Sequence, residues 1–282
     1  PIIKALECDS RFESIVVVTA QHRQMLDTVM ALFEIQPAVD LNIMRPQQTL
    51  TTITTNVLAQ LDQVIQDKKP DIILVHGDTT TTLAASLAAY YHQVPLGHVE
   101  AGLRTWQKYS PFPEEMNRQL VDVLTDLYFV PTATAQQNLL AEHHTKSQIY
   151  ITGNTVIDAL QTTVKPTAKL EFLTTADTEK RIILLTMHRR ENQGLRMRAI
   201  FKMVKRVIDQ NPDTLLVYPV HLNPQIQLIA QEELGNDPRI RLIAPLEVDD
   251  FHNLMAKSYL VLTDSGGIQE EAPALGIPVL VL

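Results

Sequence analysis

The amino-acid sequence predicts an α/β protein built from two doubly wound, Rossmann-like domains facing a cleft. Three observations carry that expectation. Short apolar runs rich in Val, Ile and Leu recur along the chain, longer segments with helical spacing lie between them, and the rhythm breaks once, around residues 160–180, before it restarts. Alternation of this kind marks β-α units around parallel sheets. It divides the chain into residues 1–160 and residues 161–282.

Taken in order, PIIKALECDS reads as the latter part of a helix, so a strand and loop are expected ahead of it. The first half then gives strand runs SIVVVT near 14–19, DIILVHGD at 71–78, VPLGHVE at 94–100, LYFVPT at 127–132 and a fifth in IYITGN. Helical periodicity is clearest in TTLAASLAAYYH and EEMNRQLVDVLTD. In the second of these, Met116, Leu120, Val123 and Leu124 are expected to turn the helix toward the core. The stretch LQTTVKPTAKLEFLTTADTEK has no sustained apolar stripe and reads as a connection. The second half repeats the pattern in RIILLTMHRREN, DTLLVYPVHLNP, RIRLIAPLE, YLVLTDSGG and IPVLVL, the last expected to be a buried strand.

Composition narrows the function. A chain of 282 residues is long enough for two α/β domains, and 45% hydrophobic with 20% charged residues is ordinary for a globular protein. A net charge of −8 argues against general binding to nucleic acid or an anionic membrane, either of which needs a broad basic face. A local pocket for an anionic small molecule is still allowed. The single cysteine, Cys8, excludes an internal disulfide or a thiolate metal site and fits a reducing compartment. No apolar run approaches the about 18 residues of a membrane helix, and no signal peptide is recognised, so the cytoplasm is the expected location. H-x-H, HExxH and DxD groupings are absent, as are GxGxxG and Walker A loops, so no metal, NAD or ATP is called for.

Open parallel sheets bind ligands beyond the carboxyl ends of their strands, which makes the residues just after each strand the candidates. In LTDSGGIQEEAPALG a strand passes through Ser265, Gly266 and Gly267 directly into a helix. Backbone N–H groups at such a start attract phosphate, and Glu270 or Glu271 could accept from ribose hydroxyls. A capped helix with acids in its first turn explains the same residues. His221 in YPVHLNP and His188, Arg189 and Arg190 in LLTMHRREN also follow strands, where they could contact phosphate or, for His, move a proton. Asp78 in HGDTTT ends an apolar strand and is also suited to be a helix N-cap. Glu100 ends the next run, with Gly102 as a tight exit, so the two carboxylates could share one site and shift each other's protonation. Pro113 opens a helix with Glu114 and Glu115 next; Glu114 is able to face the cleft, and Glu115 reads as simple compensation of the helix dipole.

Together, TAQHRQML, LVHGDTTT, HVEAGLRT, FPEEMNRQ, GNTVIDAL, TMHRREN, YPVHLNP and TDSGGIQEEAP closely resemble the bacterial non-hydrolysing UDP-N-acetylglucosamine 2-epimerases, over nearly the whole chain. The resemblance implies a GT-B type fold with substrate in the interdomain cleft. It also implies inversion of C2 of UDP-GlcNAc to UDP-ManNAc through elimination and re-addition of UDP, with no cofactor. By position, Asp78, Glu100, Glu114 and His188 take the catalytic roles. His221, Ser265, Gly266 and Gly267 take the diphosphate, Glu271 the ribose and Phe251 the uracil. Gln21, His22, Gln24 and Arg189 take a second, activating UDP-GlcNAc, although Gln47 stands where activated members carry Arg. The family's GTRPE loop is expected before residue 1 and a basic segment after Leu282. A homodimer and a role in envelope polysaccharide supply are further expectations. The competing readings are a GT-B glycosyltransferase, a hydrolysing epimerase and a non-catalytic UDP-sugar sensor.

Overall fold

Parallel strands buried on both faces need apolar side chains at odd and even positions alike, and the second half of the chain has them. The structure, a computed structural model, describes residues 1–19, 23–43, 45 and 48–282. It divides between Thr155 and Val156 into two units. That division lies five residues ahead of the boundary drawn from the sequence, because Ile157 and Leu160 pack into the second unit's core.

The first unit contains α1 (Ile2–Glu7), β1 (Val17–Val18), α2 (Arg23–Leu32), β2 (Val39–Asp40), α3 (Leu50–Lys68) and β3 (Ile73–His76). It continues with α4 (Thr80–Tyr91), β4 (Leu96–Val99), α5 (Glu114–Leu124), β5 (Leu127–Val130), α6 (Ala133–Ala141) and β6 (Ile149–Ile151). Its strands form two parallel sheets, β1-β2 and β3-β4-β5-β6. The two-residue strand β2 is too short for any periodicity and was not legible in the sequence.

In α5 the expected orientation holds only in part. Leu124 packs against the core that contains Val121, whereas Leu120 and Val123 are exposed and Glu115, Asn117, Arg118 and Asp122 are buried. The inward face combines this apolar contact with hydrogen bonds to two neighbouring turns, described below.

The second unit holds α7 (Thr155–Thr163), α8 (Thr175–Thr178), β7 (Arg181–Thr186), α9 (Leu195–Gln210), β8 (Thr214–Pro219) and α10 (Pro224–Leu234). After these come β9 (Ile240–Ile243), α11 (Val248–Ala256), β10 (Leu260–Thr263), α12 (Ile268–Ala274) and β11 (Val279–Val281). The sheet order is β11-β10-β7-β8-β9, all parallel. Side chains alternate between two cores. Ile183, Leu185, Leu216 and Tyr218 face Met197, Phe201 and Ile226. Ile182, Leu184, Leu215 and Val217 face Leu254, Met255 and Ile268. The connection at 164–180 is not free of this packing, since Leu170 is buried with the second core. β11 lies at the sheet edge with Leu280 and Val281 exposed, so it is not the buried strand expected. Among the described residues no helix is long and apolar enough to cross a membrane.

Candidate active site

In the first unit the carboxylates gather at the ends of β3 and β4. These strands pair in parallel from Ile73 with Leu96 to His76 with Val99, so the turns that follow them emerge side by side. Asp78 does not cap α4. Thr79 does, accepting from the Thr82 amide at 3.2 Å, which leaves the Asp78 carboxylate to bond elsewhere. It meets Arg118 Nη2 at 3.0 Å, while Asn117 Nδ2 donates to the Asp78 carbonyl at 2.8 Å. Burial lifts the Asp78 carboxyl above its ordinary range, Arg118 draws it back, and the charges of Glu100 and Glu114 push it up again. The three predicted carboxylates are thus felt at one group. A raised carboxyl beside other carboxylates is suited to exchanging a proton near neutral pH.

Glu100 adopts a left-handed backbone, φ +68°, which costs a non-Gly residue about 1–2 kcal/mol. Its carboxylate lies 3.5 Å from His76 Nε2, and a side chain at Gly77 would touch it. Gly102, φ +79°, is required in the same turn because a Cβ there would collide with the Ala135 carbonyl.

Glu115 is more than a compensator of the helix dipole. Fully buried, it accepts the amides of Thr105 and Trp106, each at 3.0 Å, and Gln119 Nε2 at 2.8 Å. Burial disfavours its charge, yet these donors together hold its carboxyl below the ordinary range. It therefore ties the loop between β4 and α5 to the helix that supplies Glu114. Arg104, in that loop, bridges Asp122 at 2.7 Å and Glu142 at 2.7 and 2.6 Å. Nothing in the structure explains the exposed ring of Trp106.

In the second unit the chain runs β7, β8, β9 outward on one side, then returns to place β10 and β11 on the other. The strand order reverses between β7 and β10, the topological switch point at which open α/β sheets hold ligands. His188, Arg189 and Ser265–Gly267 all leave the sheet there. The rings of His188 and His221 lie parallel, 6.2 Å apart at 10°. Arg189 overlies the glycine turn, since a Cβ at Gly266 would lie 3.8 Å from its Nη2. No side chain caps α12, although Glu270 and Glu271 do sit in its first turn, and Gly266 and Gly267 at its start are exposed.

The residue that organises this turn is Asp264, which the sequence reading passed over. Buried, it accepts the amides of His188 at 3.1 Å and Arg189 at 2.9 Å, and Asn192 Nδ2 at 3.0 Å, with His188 Nδ1 at 3.4 Å. Its position between a strand and Ser-Gly-Gly was the available signal. Glu271 meets His252 Nε2 at 3.5 Å, and His252 is anchored by Thr163 at 2.7 Å, so this acid is held on the inner side of α12. Glu270 is on the exposed side. Phe251 packs partly into the second core beside His252. His221 accepts the Asn223 amide on Nδ1 at 3.0 Å, which leaves Nε2 as its donor. Of the second-site set, Gln21, His22 and the side chain of Gln24 lie outside the described residues, as does Gln47.

Residues 4–282 match the family model for UDP-N-acetylglucosamine 2-epimerase. A Bacillus subtilis protein of that name is 55% identical over 282 residues, all of this chain and 74% of the relative. S. aureus MnaA, solved with UDP, is 57% identical with a TM-score of 0.89, covering 100% of this chain and 74% of that one. The Neisseria meningitidis UDP-GlcNAc 2-epimerase bound to UDP-GlcNAc is 47% identical at TM-score 0.89, covering 100% and 78%.

Proposed function

The chain belongs to the UDP-N-acetylglucosamine 2-epimerase family, and from that premise we propose that it interconverts UDP-GlcNAc and UDP-ManNAc without net hydrolysis. The observation that carries this reading is the carboxylate cluster. Asp78 senses both Glu100 and Glu114 and is raised, which a simple sugar-nucleotide binder does not require.

Chemistry dictates the rest. The C2 hydrogen of the sugar is not acidic, so its removal is coupled to departure of UDP. The C2–H electrons form the C1–C2 double bond, the C1–O bond breaks onto the diphosphate, and a carboxylate takes the proton. In return, UDP oxygen attacks C1 and a second acid delivers a proton to the opposite face of C2. Two proton-transfer groups and a stabilised leaving group are needed. Asp78, Glu100 and Glu114 supply the first, with Arg118 setting the charge on Asp78. The second unit supplies the other: His221 and the Ser265–Gly267 turn for the diphosphate, Glu271 for the ribose and Phe251 for the uracil, with His188 beside them as the fourth member of the catalytic set.

The same reading includes a cytoplasmic homodimer that provides ManNAc units for envelope polysaccharide, and a regulatory UDP-GlcNAc held in part by Arg189. Turnover of UDP-GlcNAc in deuterated water tests the core of it. UDP-ManNAc carrying deuterium at C2 is the expected product. Free ManNAc with UDP would replace the reading by a hydrolytic one, and sugar transfer without C2 exchange by a transferase.

A further inference from the structure

A second feature of the first unit lies beneath the carboxylates. His98, in the middle of β4, has no solvent exposure. Its Nε2 stands 2.8 Å from the Gly77 carbonyl, which can only accept, so Nε2 donates. Its Nδ1 stands 2.6 Å from Asp122 Oδ1. The other oxygen of Asp122 accepts the Gly102 amide at 3.2 Å and Arg104 Nη2 at 2.7 Å.

We propose that His98 and Asp122 are positioning residues for the epimerisation: a buried imidazolium–carboxylate pair that holds the Gly77–Asp78 turn and the Glu100–Gly102 turn at a fixed spacing. The proposal rests on the assignment of Asp78 and Glu100 as proton-transfer groups. A carboxylate that already accepts a guanidinium and an amide is ionised, so the proton of the short contact stays on Nδ1, and both ring nitrogens donate. The charges close among themselves. His98 and Arg104 are the cations, Asp122 and Glu142 the anions, and Arg104 joins the two carboxylates. Around this set, Tyr128 and His144 engage each other at 2.8 Å, Tyr128 donates to the Asp122 and Thr125 carbonyls, His144 Nε2 lies 3.7 Å from Glu142, and Asp126 accepts the Leu96 amide. A closed set of this kind avoids the penalty of an unpaired buried charge.

What the pair holds is what makes it more than a structural device. Gly77 and Gly102, at φ 71° and 79°, take the left-handed backbone that glycine adopts freely, whereas Glu100, at 68°, takes one that persists only when its surroundings enforce it. The Gly77 carbonyl belongs to the same peptide as the Asp78 amide. One ring therefore fixes the backbone of Asp78, and its partner fixes the turn that follows Glu100. An apolar strand residue of similar size would fill the space, leave the Gly77 carbonyl without its donor and leave Asp122, the acceptor of the Gly102 amide, without the ring that fixes it.

The test combines a spectrum with kinetics. Histidine-selective nitrogen NMR of the unaltered folded protein at pH 7.5 is expected to show His98 with protons on both ring nitrogens; a ring with one proton overturns the proposal. The variant His98→Gln keeps a donor but no charge. It is expected to lower kcat for C2 deuterium exchange about 100-fold, as small misplacements of reacting groups do, with KM changed less than about threefold. Unchanged kcat, or a loss confined to KM, overturns the proposal. If His98→Gln fails to fold, the spectrum of the unaltered protein decides. Asp78→Asn measured alongside separates the two readings. Retained exchange in Asp78→Asn removes the acid/base assignment itself, whereas a dead Asp78→Asn beside a normal His98→Gln removes only the positioning pair.

Discussion

Both units are built on parallel strands and differ in how the carboxylates at their strand ends are satisfied. In the first, charges are paired side chain to side chain: Asp78 with Arg118, Asp122 with His98 and Arg104, and Arg104 with Glu142. In the second, the buried strand-end carboxylate Asp264 is satisfied mainly by backbone amides of the loop that carries His188 and Arg189, while Asp177, buried elsewhere in the unit, pairs with Arg241. The difference at the strand ends fits the roles proposed for them. Proton exchange needs carboxylates whose protonation responds to their neighbours, whereas holding a diphosphate needs amides and cations fixed in place.

Four measurements sharpen or break that comparison. Asp78→Asn removes a proposed proton-transfer group and is expected to cost about 10³-fold or more in kcat, within the range for general acid–base catalysis, while UDP affinity by calorimetry changes less than threefold. A large loss of UDP affinity would break the division between the units. Asp264→Asn replaces one acceptor oxygen with an NH2 donor facing the N–H groups it served and leaves them unpaired, an expected loss of about 3 kcal/mol in unfolding free energy by denaturant titration; UDP binding weakens with it.

Glu115→Gln is expected to cost about 1–2 kcal/mol. Its pH dependence has a definite sign. The folded carboxyl is held below the unfolded one, so its stabilisation is complete above the ordinary Glu range and is lost as pH falls through the lowered folded value. The variant flattens that part of the acid limb. Ser265→Ala, at the diphosphate turn, is expected to weaken UDP about three- to tenfold, the worth of about one hydrogen bond, with C2 exchange at saturating substrate nearly unchanged.

Much of the fold was legible because parallel strands announce themselves. The runs containing β7, β8 and β10 are continuous in apolar residues, as strands covered on both faces must be. Asp78, Glu100 and His188 were legible for a related reason, each following such a run directly. α5 was legible only in part: Leu124 packs inward as its spacing suggests, but Glu115, Arg118 and Asp122 turn inward to satisfy turns that no local pattern reveals, leaving Leu120 and Val123 exposed. Asp264 was overlooked because a lone Asp before glycines looks like ordinary turn chemistry.

By itself, the sequence determined the α/β class, the two-unit rhythm and the chemistry available at the strand ends, because these follow from periodicity and residue type over short spans. Which carboxylates meet, which helix face turns inward and where the strand order reverses were decided only by the tertiary structure. Those properties depend on pairs distant in the chain, such as His98 with Asp122 and His188 with Asp264, whose hydrogen bonds exist only once the strands are laid side by side.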